Sequence, residues 1–311
     1  MSRILVTGAA GFIGRAVCRE FVEHGHTVLG RTRGPAKPIA GAELDQIGDI
    51  GPQTDWSAHL DRIEIVVHLA NRAYRRTEPR AGEDEPEAAA TLARASAACG
   101  VRRFVYISSV RAMGNATIPG APFRSTDVPF PRDAYGHGKL AIERALEVVA
   151  RETGLELVIL RPPLVYGPGV GANFRVLLRL TAYGLPLPFG GVENRRSLIF
   201  LHNLADLAAQ ACVHPAAAGR VLLARDAFDL STPELIRVLA AELGQPARLF
   251  SVPREVFAVL QGVPLLGPPI SRFTLSLQVD DGETRAALGW RPLISPEIGL
   301  ASTARAFRGG L

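Results

Sequence analysis

Short apolar runs alternate with helix-period segments through the first half of the chain. Residues 3–7 form a strand-length apolar run that stops at Gly8, and residues 12–24 then repeat apolar positions at helical spacing, closed by Gly25. Further strands are expected at 27–30, near 44–47, at 65–70, at 104–107 and at 155–160. The run Ile65-Val66-Val67-His68-Leu69-Ala70 is apolar almost throughout, as a parallel strand covered on both faces should be. Helices are expected at 87–99, where alanines would let a neighbouring helix come close, and at 135–153, stopped by Gly154. Each crossover is long enough for a strand-helix-strand unit, so the pattern predicts an α/β fold with a doubly wound parallel sheet. Residues 75–87, charged and carrying Pro79, Gly82 and Pro86, read as a solvated loop, and 113–132 as a second loop rich in Pro and Gly.

Beyond Arg161-Pro162-Pro163 the alternation becomes irregular. Glycines at 167, 169 and 171 precede a helix expected at 173–183, and a further helix is expected at 203–211. We expect a first unit at 1–165 and a smaller C-terminal substrate-binding lobe at 166–311, with 197–215 packing back on the first unit. The stretch 256–277 is unusually apolar and reads as lobe core or a subunit surface.

Composition narrows this little: 311 residues with 47% hydrophobic and 21% charged content suit a globular enzyme. No apolar run approaches the roughly 18 residues of a spanning helix, and the chain opens directly on its first strand, so a cytoplasmic location is expected. Cys18, Cys99 and Cys212 are far apart, each within an apolar helical pattern, and read as reduced core residues with no metal-ligand spacing. The net charge of +5 favours anionic partners. Its arginines and lysines are scattered, which suits a phosphate-bearing small molecule and not a nucleic acid.

Three stretches carry candidate chemistry. Thr7-Gly8-Ala9-Ala10-Gly11-Phe12-Ile13-Gly14 lies between a strand and a helix, where glycines let the backbone approach a pyrophosphate and the helix N-terminus supplies free N–H groups. The next strand ends in Arg31-Thr32-Arg33 with no acid for an adenosine ribose, which leans towards NADP over NAD. Arg31 and Arg33 would then face the 2′-phosphate, unless they are solvated loop charges. Asp49 is either an adenine contact or a turn aspartate. Tyr135 and Lys139, four residues apart on a helix, can share one face, and a nearby ammonium favours the phenolate form of an acid/base tyrosine. His68 reads as a core histidine.

These elements together resemble the extended short-chain dehydrogenase/reductase family, in its nucleotide-sugar epimerase and 4-ketoreductase branch, whose sheet is Rossmann-like. The resemblance rests on the glycine turn, Val67-His68-Leu69-Ala70, Phe104-Val105-Tyr106-Ile107-Ser108-Ser109, Tyr135 with Lys139, Arg161-Pro162-Pro163 before Val165-Tyr166-Gly167-Pro168, and Leu288-Gly289-Trp290. It implies that Gly8, Ala10, Gly11, Phe12, Ile13, Gly14, Leu69, Ala70 and Pro162 border a dinucleotide. It also implies Ser109 as an active-site hydroxyl, with Ser108 as the runner-up, Tyr135 as acid/base and Lys139 on the nicotinamide ribose. Arg196 matches a diphosphate-binding arginine, and Arg272 could be a second phosphate or uridine contact. Asn173 is either a substrate-phosphate contact or a helix cap. The implied activity is hydride transfer at C4 of a UDP-linked hexose or HexNAc, as an NADP-using 4-ketoreductase, with an NAD-dependent 4-epimerase or a non-catalytic dinucleotide-binding regulator as alternatives. The family also implies a homodimer through helices 87–99 and 135–153, on a face of Ala141, Ala145 and Ala150 with Leu140, Leu146 and Val149. Three positions depart from its pattern: Asp84-Glu85-Pro86-Glu87 where an asparagine often heads the helix, Pro163 where many epimerases have asparagine, and Arg31 in place of the usual acid.

Overall fold

The strands are β1 (Arg3–Thr7), β2 (Thr27–Thr32), β3 (Ala42–Gln46), β4 (Ile65–His68), β5 (Arg103–Ile107), β6 (Glu156–Arg161), β7 (Leu164–Tyr166), β8 (Leu198–Phe200) and β9 (Val221–Leu223). They belong to a computed structural model that describes residues 1–71, 84–263 and 267–310. Seven of them form one parallel sheet in the order β3-β2-β1-β4-β5-β6-β9, and β7 pairs with β8 apart from it. The order reverses between β1 and β4, which opens a crevice beyond their carboxyl ends, where open α/β sheets bind ligands.

Alternate residues of each central strand feed two different cores, as the two-residue period of a strand requires. Ile4, Val6, Ile65, Val67, Val105 and Val158 face one side, and Leu5, Val66, Phe104, Tyr106 and Ile159 the other. The first face is covered by α1 (Phe12–Glu23), the second by α2 (Glu85–Ala98) and α3 (Ala134–Thr153). A third core gathers residues of α4 (Ala172–Ala182) and helices nearer the C-terminus, while α5 (Leu201–Val213) packs on α1 and shares its core. The remaining helices are α6 (Thr232–Leu243), α7 (Arg254–Gln261), α8 (Gly267–Thr274), α9 (Gly282–Leu288) and α10 (Pro296–Arg308). The C-terminal Leu288-Gly289-Trp290 is tied to α5 by a hydrogen bond of 2.7 Å from the Trp290 indole N–H to Asp206.

Helix caps explain where the elements depart from expectation. The α2 helix starts two residues early, at Glu85, because Pro86 falls in its first turn, where a missing N–H breaks no helical bond. Asp133 caps α3, accepting from the Gly136 N–H at 2.8 Å, so the helix begins before Tyr135. Gly171 is the N-cap of α4, and Asn173 lies inside its first turn, so the cap reading of Asn173 does not hold.

Two further expectations are corrected. Cys18 and Cys212 are buried, their thiols pushed up to about 12 by burial, but Cys99 closes α2 and is exposed. Leu140, Leu146 and Val149 are buried within this chain, leaving Ala141 and Val148 exposed on α3. The apolar half of the expected dimer face is thus taken up by the core. The loop expectation for 75–83 lies outside the described residues.

Candidate active site

The glycine turn is closed by backbone contacts that leave no room for side chains. Gly8 has φ of +72° and its N–H donates to the Arg31 carbonyl at 3.0 Å, while the Gly11 N–H donates to the Gly8 carbonyl at 2.9 Å. A Cβ on Gly14 would stand 2.2 Å from the Gly8 carbonyl oxygen, and one on Gly8 would stand 2.9 Å from the Ala70 nitrogen. Across the crevice, Thr7 Oγ1 accepts from the N–H groups of Leu69 and Ala70 at 3.2 and 3.3 Å. It also lies 2.7 Å from His68 Nδ1. His68 is a core histidine, its pKa driven down to about 3 by burial, with Lys139 adding to the effect.

This turn fits a dinucleotide pyrophosphate. The N-cap of α1 is Gly11, with no side-chain cap and no acid in the first turn, so the positive end of the helix meets no carboxylate of its own. Gly8, Gly11, Phe12, Ile13 and Gly14 all border one cavity of about 710 Å³.

Opposite the turn, the head of α3 is packed onto the end of β5. Lys139 Nζ donates to the Ile107 carbonyl at 3.1 Å and lies 4.9 Å above the Tyr106 ring and 5.9 Å from the Tyr135 ring centre. Burial lowers the Lys139 pKa to about 8, partly offset by the carboxylates of Glu85 and Glu143. Glu85 belongs to the stretch Asp84-Glu85-Pro86-Glu87, which heads α2 and departs from the family pattern. Ser109 Oγ accepts from the Arg111 N–H at 3.2 Å. Ser108 instead donates its hydroxyl to buried Glu143, whose carboxylate also takes the Arg161 Nε at 3.0 Å and Nη2 at 2.5 Å. Ser108 and Ser109 both line the cavity, but the Ser108 hydroxyl is committed to the Glu143 carboxylate. Gly136 permits the closest approach here, since a Cβ on it would meet the Arg111 carbonyl oxygen at 2.3 Å.

Ser109, Tyr135, Lys139, Leu69, Pro162, Asn173, Arg196 and Arg272 line the same cavity as the glycine turn. Arg196 Nη1 donates to the Leu275 carbonyl at 2.9 Å. Its pKa falls to about 10 through burial and the neighbouring guanidinium groups of Arg111 and Arg272. Cations that crowd one another in this way are poised for an anion.

Other expected residues lie elsewhere. Ala10 and Ala70 flank the turn without lining the cavity. Arg31 does not stand at the strand end: β2 runs on through Thr32, and the Arg31 side chain is buried against the sheet, 3.9 Å from Asp45. Arg33, half-exposed beyond the strand, pairs with Asp49 at 2.7 Å. Sequence reasoning missed Arg111 and Asp133, which form an ion pair at the cavity wall. Asp133 was findable as a helix cap two residues before Tyr135, whereas Arg111 carries no local signal. On the α1–α5 face, away from the cavity, Glu20, His24 and Asp206 bring ligand atoms within 4.8 Å of one another, but Asp206 is engaged by Trp290.

Comparison with known proteins identifies the family. The model of the NAD dependent epimerase/dehydratase family matches residues 4–223. A UDP-glucose 4-epimerase of Vibrio cholerae is 37% identical over 98% of this chain and 95% of its own length. A 2-alkyl-3-oxoalkanoate reductase of Stenotrophomonas maltophilia is 29% identical over 96% and 97%. Among solved structures, MoeE5 in complex with UDP-glucuronic acid and NAD superposes with a TM-score of 0.79 at 26% identity, covering 99% of this chain and 100% of that one. Its glycine turn, the tyrosine and lysine of α3 and the serine beyond β5 border one cavity, and by these matches the chain belongs to the NAD dependent epimerase/dehydratase family.

Proposed function

We propose that this protein is an NAD(P)-dependent nucleotide-sugar oxidoreductase acting at C4 of a UDP-linked hexose or HexNAc, and that it works as a 4-ketoreductase. The observation that carries the reading is that one cavity is lined by the glycine turn, by Ser109, Tyr135 and Lys139, and by Arg196 with Arg272. Two guanidinium groups suit the diphosphate of a nucleotide sugar. The bound nicotinamide would supply the hydride. Tyr135 would give its proton to the ketone oxygen, Ser109 would hydrogen-bond that oxygen as charge grows, and Lys139 would hold the cofactor ribose beside Tyr135.

NADP is favoured because Arg33 and not an acid follows β2, and a cofactor exchanged at each turnover suits net reduction. A 4-epimerase is the second reading, favoured by the 37% identity to a UDP-glucose 4-epimerase. We place the reaction in the cytoplasm. Cys18 and Cys212 are unpaired and buried, as in a reducing compartment, and no helix among the described residues is long and apolar enough to cross a membrane.

Stoichiometric NADPH oxidation with a UDP-linked 4-keto-6-deoxy-HexNAc is the expected result. Formation of a C4 epimer from UDP-GlcNAc or UDP-glucose with no added cofactor would overturn the reductase reading. Tyr135→Phe should abolish turnover, a loss of at least about 10²-fold for a missing general acid, while NADPH still binds.

A further inference from the structure

Among the described residues, Arg111 is a cavity cation that neither the cofactor nor the diphosphate accounts for. It follows Ser109 by two residues, and its own backbone N–H binds the Ser109 hydroxyl oxygen. Its guanidinium is held by Asp133, which also caps the helix carrying Tyr135 and accepts from Asn115 Nδ2 at 3.2 Å. The side chain is therefore fixed to both groups that would flank the reacting oxygen. Arg111 lines the same cavity as Ser109, Tyr135 and Arg196, close enough to Arg196 for its charge to be felt there.

Charge balance identifies what it can read. Among the described residues, Arg196 and Arg272 together would offset the two negative charges of a diphosphate, and Arg111 is already offset by Asp133. A further carboxylate on the sugar would leave this end of the cavity with uncompensated negative charge. What the pair does offer is a donor-only guanidinium beside an acceptor-only carboxylate. An amide, with its carbonyl oxygen and its N–H, matches both.

We infer that Arg111 is a specificity-determining residue that binds an acylamino substituent of the sugar, so that the substrate class is the nucleotide-linked N-acyl amino sugar. This rests on the nucleotide-sugar reading above. It deepens that reading by separating acylamino sugars from plain hexoses and uronic acids.

Isothermal titration of the full-length protein loaded with NADP+ tests both levels, using UDP, UDP-GlcNAc, UDP-glucose and UDP-glucuronic acid. The wild type should bind UDP-GlcNAc roughly tenfold or more tighter than the other two sugars. Arg111→Met should weaken UDP-GlcNAc by about 10–100-fold, the range for a hydrogen bond to a charged group, and leave UDP within about threefold. Arg111→Lys, which keeps the charge and loses the fork, should fall between. Equal wild-type affinity for UDP-GlcNAc and UDP-glucose would overturn the inference. So would an Arg111→Met loss as large for UDP as for UDP-GlcNAc, since it would make Arg111 a diphosphate contact. If neither UDP nor any UDP-sugar binds, the nucleotide-sugar reading falls, and this inference with it.

Discussion

The two ends of the cofactor crevice are built on different principles. The glycine turn is a backbone object: carbonyl and amide contacts, within the turn and to the Arg31 carbonyl of the next strand, fix its shape, and the side chains that matter are the ones absent from Gly8 and Gly14. The facing wall is assembled from side chains on β5, α3 and β6, which meet only because the sheet places them together. The turn needs only its own strand and helix and the ends of the two strands beside it. The assembled wall depends on contacts between distant residues, so damage there should spare cofactor binding and remove chemistry. Three predictions test that division.

The largest effect is expected at Glu143. Its carboxylate joins Arg161 and Ser108 in a buried cluster that clamps α3 to β6. Glu143→Ala would leave the Arg161 guanidinium buried without its partner, at a cost of about 3–5 kcal/mol. Urea unfolding should show that loss. The double variant Glu143→Leu with Arg161→Met, apolar on both sides, should recover most of it. An unchanged urea midpoint for Glu143→Ala would mean that the clamp does not hold the wall.

Next comes Gly136, where the division is sharpest. A Cβ there would press on the Arg111 carbonyl at 2.3 Å and on Pro131, displacing Tyr135 relative to Ser109. Gly136→Ala should lower kcat by about 10²-fold, the effect of misplacing reacting groups by an ångström, with the NADPH dissociation constant nearly unchanged. Gly138, two residues on, faces open space. Gly138→Ala should leave kcat intact and stabilise the helix by roughly 0.5–1 kcal/mol. If the two variants behave alike in kcat, the close contact between α3 and the Ser109 turn is not what positions Tyr135.

How much of this was readable beforehand follows the same division. The turn was legible because strand, glycines and helix lie in sequence order, and the strand runs were legible because alternate residues of a doubly covered strand are all apolar. Tyr135, Lys139 and Ser109 were legible as residue types through the family pattern, and they do border one cavity. What holds them was not. Nothing local in the sequence links Glu143 to Arg161, eighteen residues later on another element. Arg31 was misplaced because the strand end was set at Gly30. Two more strand residues put its side chain on the buried face and leave Arg33 at the edge. Leu140, Leu146 and Val149 look the same in sequence whether they face a core or a partner, and the tertiary fold assigned them to the core.

The smallest expected effect concerns Lys139, which bridges the two ends. With its pKa lowered to about 8 by burial, it is charged below that pH and neutral above it. If the ammonium helps to hold the cofactor, NADPH affinity should be flat below pH 8. Above it, affinity should fall by up to about tenfold per unit, the limiting slope for one proton. Stability should move the opposite way. The unfolded lysine titrates near 10.4, so between about 8 and 10.4 the unfolded chain binds more protons than the folded one at this site. This group's contribution to folding stability therefore rises with pH across the window. Fluorescence titration of NADPH from pH 7 to 9.5, beside thermal unfolding at the same pH values, separates the two signs. Lys139→Met should bind weakly at every pH and lose the slope. A wild-type affinity that stays flat to pH 9.5 would show that the charge on Lys139 is not part of the cofactor's hold, and that the assembled wall contributes to binding by shape alone.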